Sequence, residues 1–142
     1  MPETPATRPR RRAAPLAAVD GVTLVGDTEV TAVKAVHAAD PYLDGHYPEF
    51  TIYPGVFIME SVNQAVDEFV ARRFGAGRIA DLTTVKSVRF TTPVLPGDTL
   101  QVSCTILADG DALAVNASCR NSAGATAAKL RLSYGVVDGG GR

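Results

Sequence analysis

Residues 53–70 read YPGVFIMESVNQAVDEFV, and this stretch decides the fold of the chain. Apolar side chains recur over residues 56–69 at three- and four-residue spacing, and the first turn is apolar on nearly every side. Pro54 suits a helix start because its missing N–H costs nothing there. Gly75, preceded by two arginines, suits a helix end. We therefore predict one long helix that is buried on most sides.

The sequence after this helix predicts an antiparallel sheet. Residues 100–106, 113–119 and 128–134 each alternate apolar with polar side chains, the pattern of half-buried strands. Turn-forming residues at 109–111 and 121–124 separate the three strands, so we predict a meander. One long helix with an antiparallel sheet is an α+β arrangement, and the sheet has to curl around the helix to cover it.

Two more segments, 29–37 and 82–92, are rich in Thr and Val and predict strands with a less regular alternation. Residues 14–25 show no pattern that indicates an element. His37 lies in a strand-like segment with no residue of matching chemistry nearby, and we interpret it as structural.

The composition is typical of a soluble globular protein, and the N-terminus leads us to expect a cytoplasmic location. Of 142 residues, 46% are hydrophobic and 20% charged. No apolar run approaches the roughly 18–20 residues that span a bilayer, so we expect no membrane association. The N-terminus lacks the apolar region of a signal peptide.

Charge and length divide the chain into one domain with short tails. Residues 1–13 carry a local charge of +3 in a Pro- and Arg-rich context, which predicts a disordered tail. The remainder carries about −4, which argues against a nucleic-acid-binding face. We expect a single domain over residues 14–138 and a frayed end at 139–142.

The two cysteines predict core packing rather than chemistry. Cys104 and Cys119 both fall on the inward phase of their strands, and their spacing matches no metal site.

Two polar residues stand out against the apolar background. His46 lies in a turn-like Asp-Gly-His-Tyr-Pro stretch before the helix, and Glu60 lies within the helix among Ile58, Met59 and Val62. Apolar surroundings favour the neutral form of a carboxyl group, which suits a general acid. Imidazole exchanges its proton in the physiological pH range, which suits a general base. Without further context, a turn histidine and a helix carboxylate facing solvent or an interface remain open.

Residues 45–65, GHYPEFTIYPGVFIMESVNQA, resemble the signature of the 3-hydroxyacyl-ACP dehydratases of fatty-acid and polyketide synthesis, the FabZ-like family. A second block, RFTTPVLPGDTL at 89–100, resembles the family's Arg-Phe, Pro-Val and Pro-Gly-Asp segment. Seven residues of the first block fall in register with the family, namely His46, Pro48, Pro54, Gly55, Val56, Glu60 and Gln64.

The resemblance implies the hotdog fold, a long central helix wrapped by a curved antiparallel sheet. It also implies a homodimer or a trimer of dimers, in which two sheets join edge to edge. Each site then takes His46 from one subunit and Glu60 from the other.

The resemblance further implies how the site works. His46 is the base and Glu60 the acid that handles the departing hydroxyl, with no metal and no organic cofactor. The substrate is carried on the phosphopantetheine arm of an acyl carrier protein. The N–H of Gly55 is expected to stabilise the thioester oxyanion, and Gln64 to orient Glu60. Glu rather than Asp at position 60 favours plain dehydration over dehydration with isomerisation.

Residues for the acyl tunnel and for carrier docking are predicted with less context. Three aromatic residues are candidates for the tunnel, with core packing as the alternative for each: Tyr53, Phe57 and Phe90. Five basic residues are candidates for docking the acidic carrier protein, with solvated surface as the alternative: Arg72, Arg73, Arg78, Lys86 and Arg89.

Departures from the family pattern keep alternatives open. Residues 49–51 replace the usual Gly-His-Pro, and the segment common before the first strand is missing. A specialised polyketide or polyene pathway is therefore an alternative to fatty-acid synthesis. A hotdog thioesterase or enoyl-CoA hydratase is a second alternative. A third is a partner subunit that forms a heterodimer with a paralogue, although retention of both His46 and Glu60 speaks against it.

Overall fold

A computed structural model describes residues 18–36 and 55–139 of the chain. This part contains one helix and six strands in the order β1 (Gly21–Val25), β2 (Glu29–Ala35), α1 (Gly55–Phe74), β3 (Arg78–Phe90), β4 (Thr99–Asp109), β5 (Ala112–Arg120) and β6 (Thr126–Asp138). The predicted α+β arrangement of one long helix with an antiparallel sheet is confirmed.

The six strands form a single antiparallel sheet in the order β1-β2-β4-β5-β6-β3. β3 follows the helix in sequence but pairs with β6, so it lies at one edge of the sheet and β1 at the other. The helix packs across the inner face, mainly against β3 and also against β2 and β4. The hydrophobic core lies between the helix and the sheet.

Helix α1 begins after Pro54 and ends before Gly75, as predicted, and it is buried along one stripe. Its buried residues recur every three or four positions: Ile58, Ser61, Val62, Ala65, Val66, Phe69 and Val70. The prediction of a helix buried on most sides is wrong at its first turn, where Val56 is 70% exposed in the single chain. Gly75, with φ of 120°, follows the last helical residue and adopts a backbone conformation that L side chains rarely take.

The predicted meander is confirmed in β4, β5 and β6. The inward residues of all three strands are buried, and their neighbours are mostly exposed. In the turn between β5 and β6, the side-chain oxygen of Asn121 accepts hydrogen bonds from the backbone N–H groups of Ala123 and Ala125, each 3.0 Å long. The strands predicted within 29–37 and 82–92 are also present, as β2 and as part of β3.

The prediction that residues 14–25 carry no element is wrong, because β1 occupies residues 21–25. β1 is a five-residue edge strand that is only partly buried, so its alternation is too short to stand out in the sequence. The strand is held in place by pairing with β2 and by Asp20, whose carboxylate accepts a 2.6 Å hydrogen bond from the N–H of Ala35.

Cys104 and Cys119 are free and buried in the core, as predicted from their phase. Within residues 18–36 and 55–139, no helix is long and apolar enough to cross a membrane. The predicted tail at 1–13 and the residues after Gly139 lie outside the described residues. The predicted domain limits therefore stay a prediction.

Candidate active site

The carboxylate of Glu60 is the centre of a hydrogen-bonded cluster on helix α1. One oxygen, Oε2, accepts from Nε2 of Gln64 at 3.2 Å, and the other, Oε1, accepts from Nδ2 of Asn63 at 3.4 Å. Residues three and four positions apart share one face of a helix, so this clustering follows from the local sequence ESVNQ. Glu60 itself is half-buried. Both carboxylate oxygens are thus held by amide donors.

The two amides are themselves held by groups that are far apart in the sequence. Oε1 of Gln64 accepts from the N–H of Ala18 at 3.0 Å, and Oδ1 of Asn63 accepts from the hydroxyl of Tyr134 at 2.5 Å. With its oxygen engaged in this way, each amide turns its NH₂ group toward Glu60. Tyr134 lies on β6, and Ala18 lies before β1.

The segment before β1 is attached to the helix beside Glu60. The hydroxyl of Ser61 donates a 2.7 Å hydrogen bond to the carbonyl of Ala18, whose N–H is bound by Gln64. Ala18 is fully buried. Sequence reasoning missed both Ala18 and Asn63, because a backbone group has no sequence signature and Asn63 is not part of the family pattern that the sequence resembles.

The N-terminus of α1 meets the end of β3. The ring of Phe90 lies so close to Gly55 that a Cβ atom at position 55 would be 2.9 Å from Cζ of Phe90. Beside this contact is a largely apolar cavity of about 310 Å³, lined by Gly55, Ile58, Phe90, Val94, Ala127 and the segment 91–93. Of the predicted tunnel residues, Phe90 lines this cavity, whereas Phe57 packs against the hydrophobic core.

The second predicted catalytic residue, His46, lies outside the described residues, as do Tyr53 and His37. Gly55 and Gln64 are described, and they lie at the first residue of α1 and beside Glu60, respectively.

A second acid on the same helix, Asp67, connects two elements of the fold. Its Oδ1 accepts a 2.8 Å hydrogen bond from the N–H of Ala80 and so attaches α1 to β3. Burial raises the pKa of Asp67, and the charges of Glu60 and Glu68 act in the same direction, while the Ala80 hydrogen bond lowers it.

Three of the five predicted docking residues are engaged within the chain. Arg72 forms a 2.8 Å ion pair with Glu68, and Arg73 donates to the carbonyl of Gly26. Arg78 lies 3.1 Å from the carboxylate of Asp138.

The other two docking candidates, Lys86 and Arg89, are exposed on β3. Arg89 lines a groove on the outer face of the sheet, together with Lys129 and Arg131 of β6. Hydroxyl and amide side chains of β4 and β5, Ser103, Thr105, Asn116 and Ser118, complete this groove.

The fold and the site define a class: an α+β protein in which a long helix carries a hydrogen-bonded carboxylate beside an apolar cavity. The ApeI-like family model, described as ApeI dehydratase, matches residues 23–129. The chain therefore belongs to the ApeI-like dehydratase family, and it is an enzyme of the hydro-lyase class.

The chain is also similar to a curated relative in sequence and to two solved structures in fold. The 3-hydroxyacyl-[acyl-carrier-protein] dehydratase FabZ of Streptococcus mutans is 28% identical over 123 residues, covering 86% of this chain and 88% of that one.

The ApeI:P dehydratase heterocomplex of Xenorhabdus doucetiae superposes with a TM-score of 0.61 at 17% identity, covering 82% of this chain and 96% of that one. A hot-dog-like protein of Thermanaerovibrio acidaminovorans gives 0.64 at 18%, covering 78% and 82%. The predicted hotdog fold is confirmed.

Proposed function

We propose that this chain dehydrates a (3R)-3-hydroxyacyl group, carried on the phosphopantetheine arm of an acyl carrier protein, to the trans-2-enoyl product. The observation that carries the proposal is the Glu60 carboxylate, which two oriented amides hold on the helix. The name of the Streptococcus mutans relative supports this substrate class. The cytoplasm is the proposed place of action.

The proposed reaction is a β-elimination in which His46 and Glu60 exchange protons with the substrate. His46 removes the proton on the carbon α to the thioester, and the electron pair of that C–H bond forms the new double bond. The bond from the β carbon to oxygen breaks, and Glu60 protonates the departing hydroxyl, which leaves as water. His46 ends protonated and Glu60 ionised, so one proton has to return from the imidazole to the carboxylate through solvent before the next turnover.

Gly55 is proposed to stabilise the charge that develops on the thioester oxygen. It is the first residue of α1, where the N–H groups lack partners within the helix and the helix dipole is positive. A backbone N–H that points at a developing oxyanion stabilises the transition state more than the ground state. The reaction as written uses no metal ion and no organic cofactor.

The acyl chain is proposed to occupy the apolar cavity beside Gly55. The ring of Phe90 and the side chain of Ile58 line this cavity, and both lie next to the start of the helix that carries Glu60. An acyl chain here would bury its methylene groups while the thioester stays near the helix N-terminus.

Carrier docking is proposed to involve the outer groove rather than the arginines at the end of α1. Arg89, Lys129 and Arg131 bring three positive charges to this groove, which matches an acidic partner. Arg89 directly precedes Phe90, which lines the cavity on the inner side, so a docked carrier would lie one strand thickness from the proposed acyl site. Lys86 is exposed on the same strand and stays a candidate.

A homodimer, or a trimer of such dimers, is proposed to form through the edge of β3. Among the strands of residues 18–36 and 55–139, this 13-residue strand pairs only with β6, and its Val85 is 48% exposed. Long unpaired edges favour association with another strand. A heterodimer with a paralogue is the alternative, and the heterocomplex of Xenorhabdus doucetiae shows that a similarly folded protein assembles with a different partner.

Turnover of a 3-hydroxyacyl-pantetheine or carrier-bound substrate by the purified protein tests this proposal, with loss of water followed by mass spectrometry. We expect dehydration by the wild type and its near-complete loss in His46→Ala and in Glu60→Gln. A folded wild type that is inert across acyl chain lengths would favour the partner-subunit alternative, and release of free thiol without loss of water would favour a thioesterase. Substrates of fatty-acid and polyene type distinguish the two pathways.

A further inference from the structure

We propose that Asn63 and Tyr134 are positioning residues that hold the Glu60 carboxylate in its working orientation. The connection runs from the core to the site in two hydrogen bonds: the hydroxyl of Tyr134 donates to Oδ1 of Asn63 at 2.5 Å, and Nδ2 of Asn63 donates to Oε1 of Glu60 at 3.4 Å. This inference rests on the proposed role of Glu60.

Tyr134 is suited to fix an amide because its ring is buried in the core and its hydroxyl keeps its proton. The side chain is 2% exposed and pairs across the sheet with Leu113 and Leu82. Burial raises the pKa of Tyr134, with smaller effects from nearby groups, so the phenol stays protonated at physiological pH. Its hydroxyl is therefore a permanent donor to Asn63.

Asn63 passes this constraint to the acid. An asparagine amide can present either its oxygen or its NH₂ group to a neighbour. Toward a carboxylate, the NH₂ group is attractive and the oxygen is repulsive. Because Oδ1 is occupied by the Tyr134 hydroxyl, the NH₂ group faces Glu60. If the Tyr134 hydroxyl is lost, the amide is free to turn its oxygen toward the carboxylate, and that contact is repulsive.

Gln64 forms a second, separate hydrogen-bonded connection to Glu60. Its amide is fixed by the N–H of Ala18 and donates to the other carboxylate oxygen, Oε2. Two donors from two directions restrict rotation of the carboxylate about its terminal torsion, which is otherwise broad. Each oxygen keeps a further lone-pair position, which can carry the proton that Glu60 delivers to the departing hydroxyl. The hydrogen bond from Asn63 thus fixes the rotation of the Glu60 carboxylate, which the hydrogen bond from Gln64 alone leaves open.

The variants Tyr134→Phe and Asn63→Ala test the hydrogen-bonded connection from Tyr134 through Asn63 to Glu60. Tyr134→Phe keeps the ring in the core and removes only the hydroxyl. On the pantetheine substrate, we expect kcat to fall about 10-fold in each variant with KM little changed, because the lost hydrogen bond stabilises the carboxylate that forms as Glu60 gives up its proton and does not contact the substrate. Thr31→Val, which removes a hydroxyl from β2 on the outer face, is the control and should keep the wild-type kcat.

A spectroscopic signature separates positioning of Glu60 from a general effect on the fold. The ¹³C signal of the Glu60 carboxyl carbon is assigned as the one lost in Glu60→Gln. We expect this signal to move in Tyr134→Phe and in Asn63→Ala, and to stay in place in Thr31→Val. The measurement needs no substrate, so it reports on the hydrogen bonds from Tyr134 through Asn63 to Glu60 whether or not the chain is a dehydratase.

The outcomes are distinguishable. A shifted signal with lowered kcat supports the positioning role. An unshifted signal overturns it, as does an unchanged kcat in both variants. A shifted signal in a protein whose Glu60→Gln variant keeps full activity would reject Glu60 as the acid. Asn63 and Tyr134 would then have no catalytic role, although their hydrogen bonds to Glu60 would be established.

Discussion

The ring of Phe90 occupies the space that a side chain at Gly55 would need: a Cβ atom there would lie 2.9 Å from Cζ and 3.0 Å from Cε2 of the ring. The first residue of α1 and the last residue of β3 therefore pack against each other, and both line the apolar cavity. The requirement for glycine at position 55 comes from this contact.

Gly55→Ala is expected to shift Phe90 or the start of the helix. Overpacking of this kind costs about 1–3 kcal/mol, and the half-exposed ring places this case at the lower end because it can turn toward solvent. We expect a larger effect on kcat than on the free energy of unfolding, because the proposed oxyanion donor is displaced. Urea unfolding and turnover measure the two. Gly21→Ala, whose Cβ would lie 3.7 Å from the nearest atom, is the control.

The clash is also testable by relief. In the double variant Gly55→Ala with Phe90→Leu, part of the lost stability should return, because the smaller side chain leaves room for the methyl group. Additive losses would show that Phe90 is not the residue that requires glycine at position 55.

Gln64 makes two contacts that substitution can separate: it accepts from the N–H of Ala18 and donates to the Glu60 carboxylate. Gln64→Glu keeps an oxygen that can accept from the N–H of Ala18 but places a second carboxylate beside Glu60, whereas Gln64→Met removes both contacts. We expect kcat to fall at least 10-fold in Gln64→Glu, because a donor to the carboxylate is replaced by a like charge. Hydrogen exchange at Ala18 should stay slow in Gln64→Glu and become faster in Gln64→Met. Equal kcat in Gln64→Glu and wild type would contradict the orienting role.

Asp67 makes the stability of the fold depend on pH. Its pKa is raised above the ordinary value of 3.8, so the folded state binds the proton more tightly than the unfolded state. The stability linked to this proton is fully present below about 3.8 and is lost as the pH rises through the folded pKa. Asp67→Asn keeps an oxygen to accept from the N–H of Ala80. It should therefore reduce the loss of stability between pH 4 and 7.

Urea unfolding across that pH range measures the effect of Asp67. Asp81→Asn, which removes an exposed carboxylate from β3, controls for the loss of one negative charge. A wild-type pH dependence that Asp67→Asn leaves unchanged would show that other groups carry the linkage.

Charge reversal tests the proposed docking groove. Arg89→Glu and Lys129→Glu are expected to raise KM for carrier-bound substrate about 10-fold and to leave turnover of the pantetheine substrate unchanged. The matched control is Arg72→Glu, because Arg72 is already paired with Glu68 and lies outside this groove. A larger effect of Arg72→Glu than of Arg89→Glu would place docking at the end of α1 instead.

Much of the fold was predictable because its pattern is local. The inward positions of β4, β5 and β6 alternate along the chain, and their burial depends only on which side of a pleated strand they occupy. Helix α1 was predictable for the same reason at a period of 3.6 residues. β1 was not, because a short, half-exposed edge strand has too few inward residues to show a period.

The candidate site divides along the same line. The sequence by itself determined the helix, the position of Glu60 on it and the neighbour Gln64 one turn later, since these follow from helical spacing. Only the tertiary structure decided that Phe90 packs on Gly55, that Arg73 and Arg78 bind groups on other elements, and that Tyr134 is joined to Glu60 through Asn63. Tyr134 and Asn63 are 71 residues apart, and no local rule records which of many polar side chains will meet when a sheet folds over a helix.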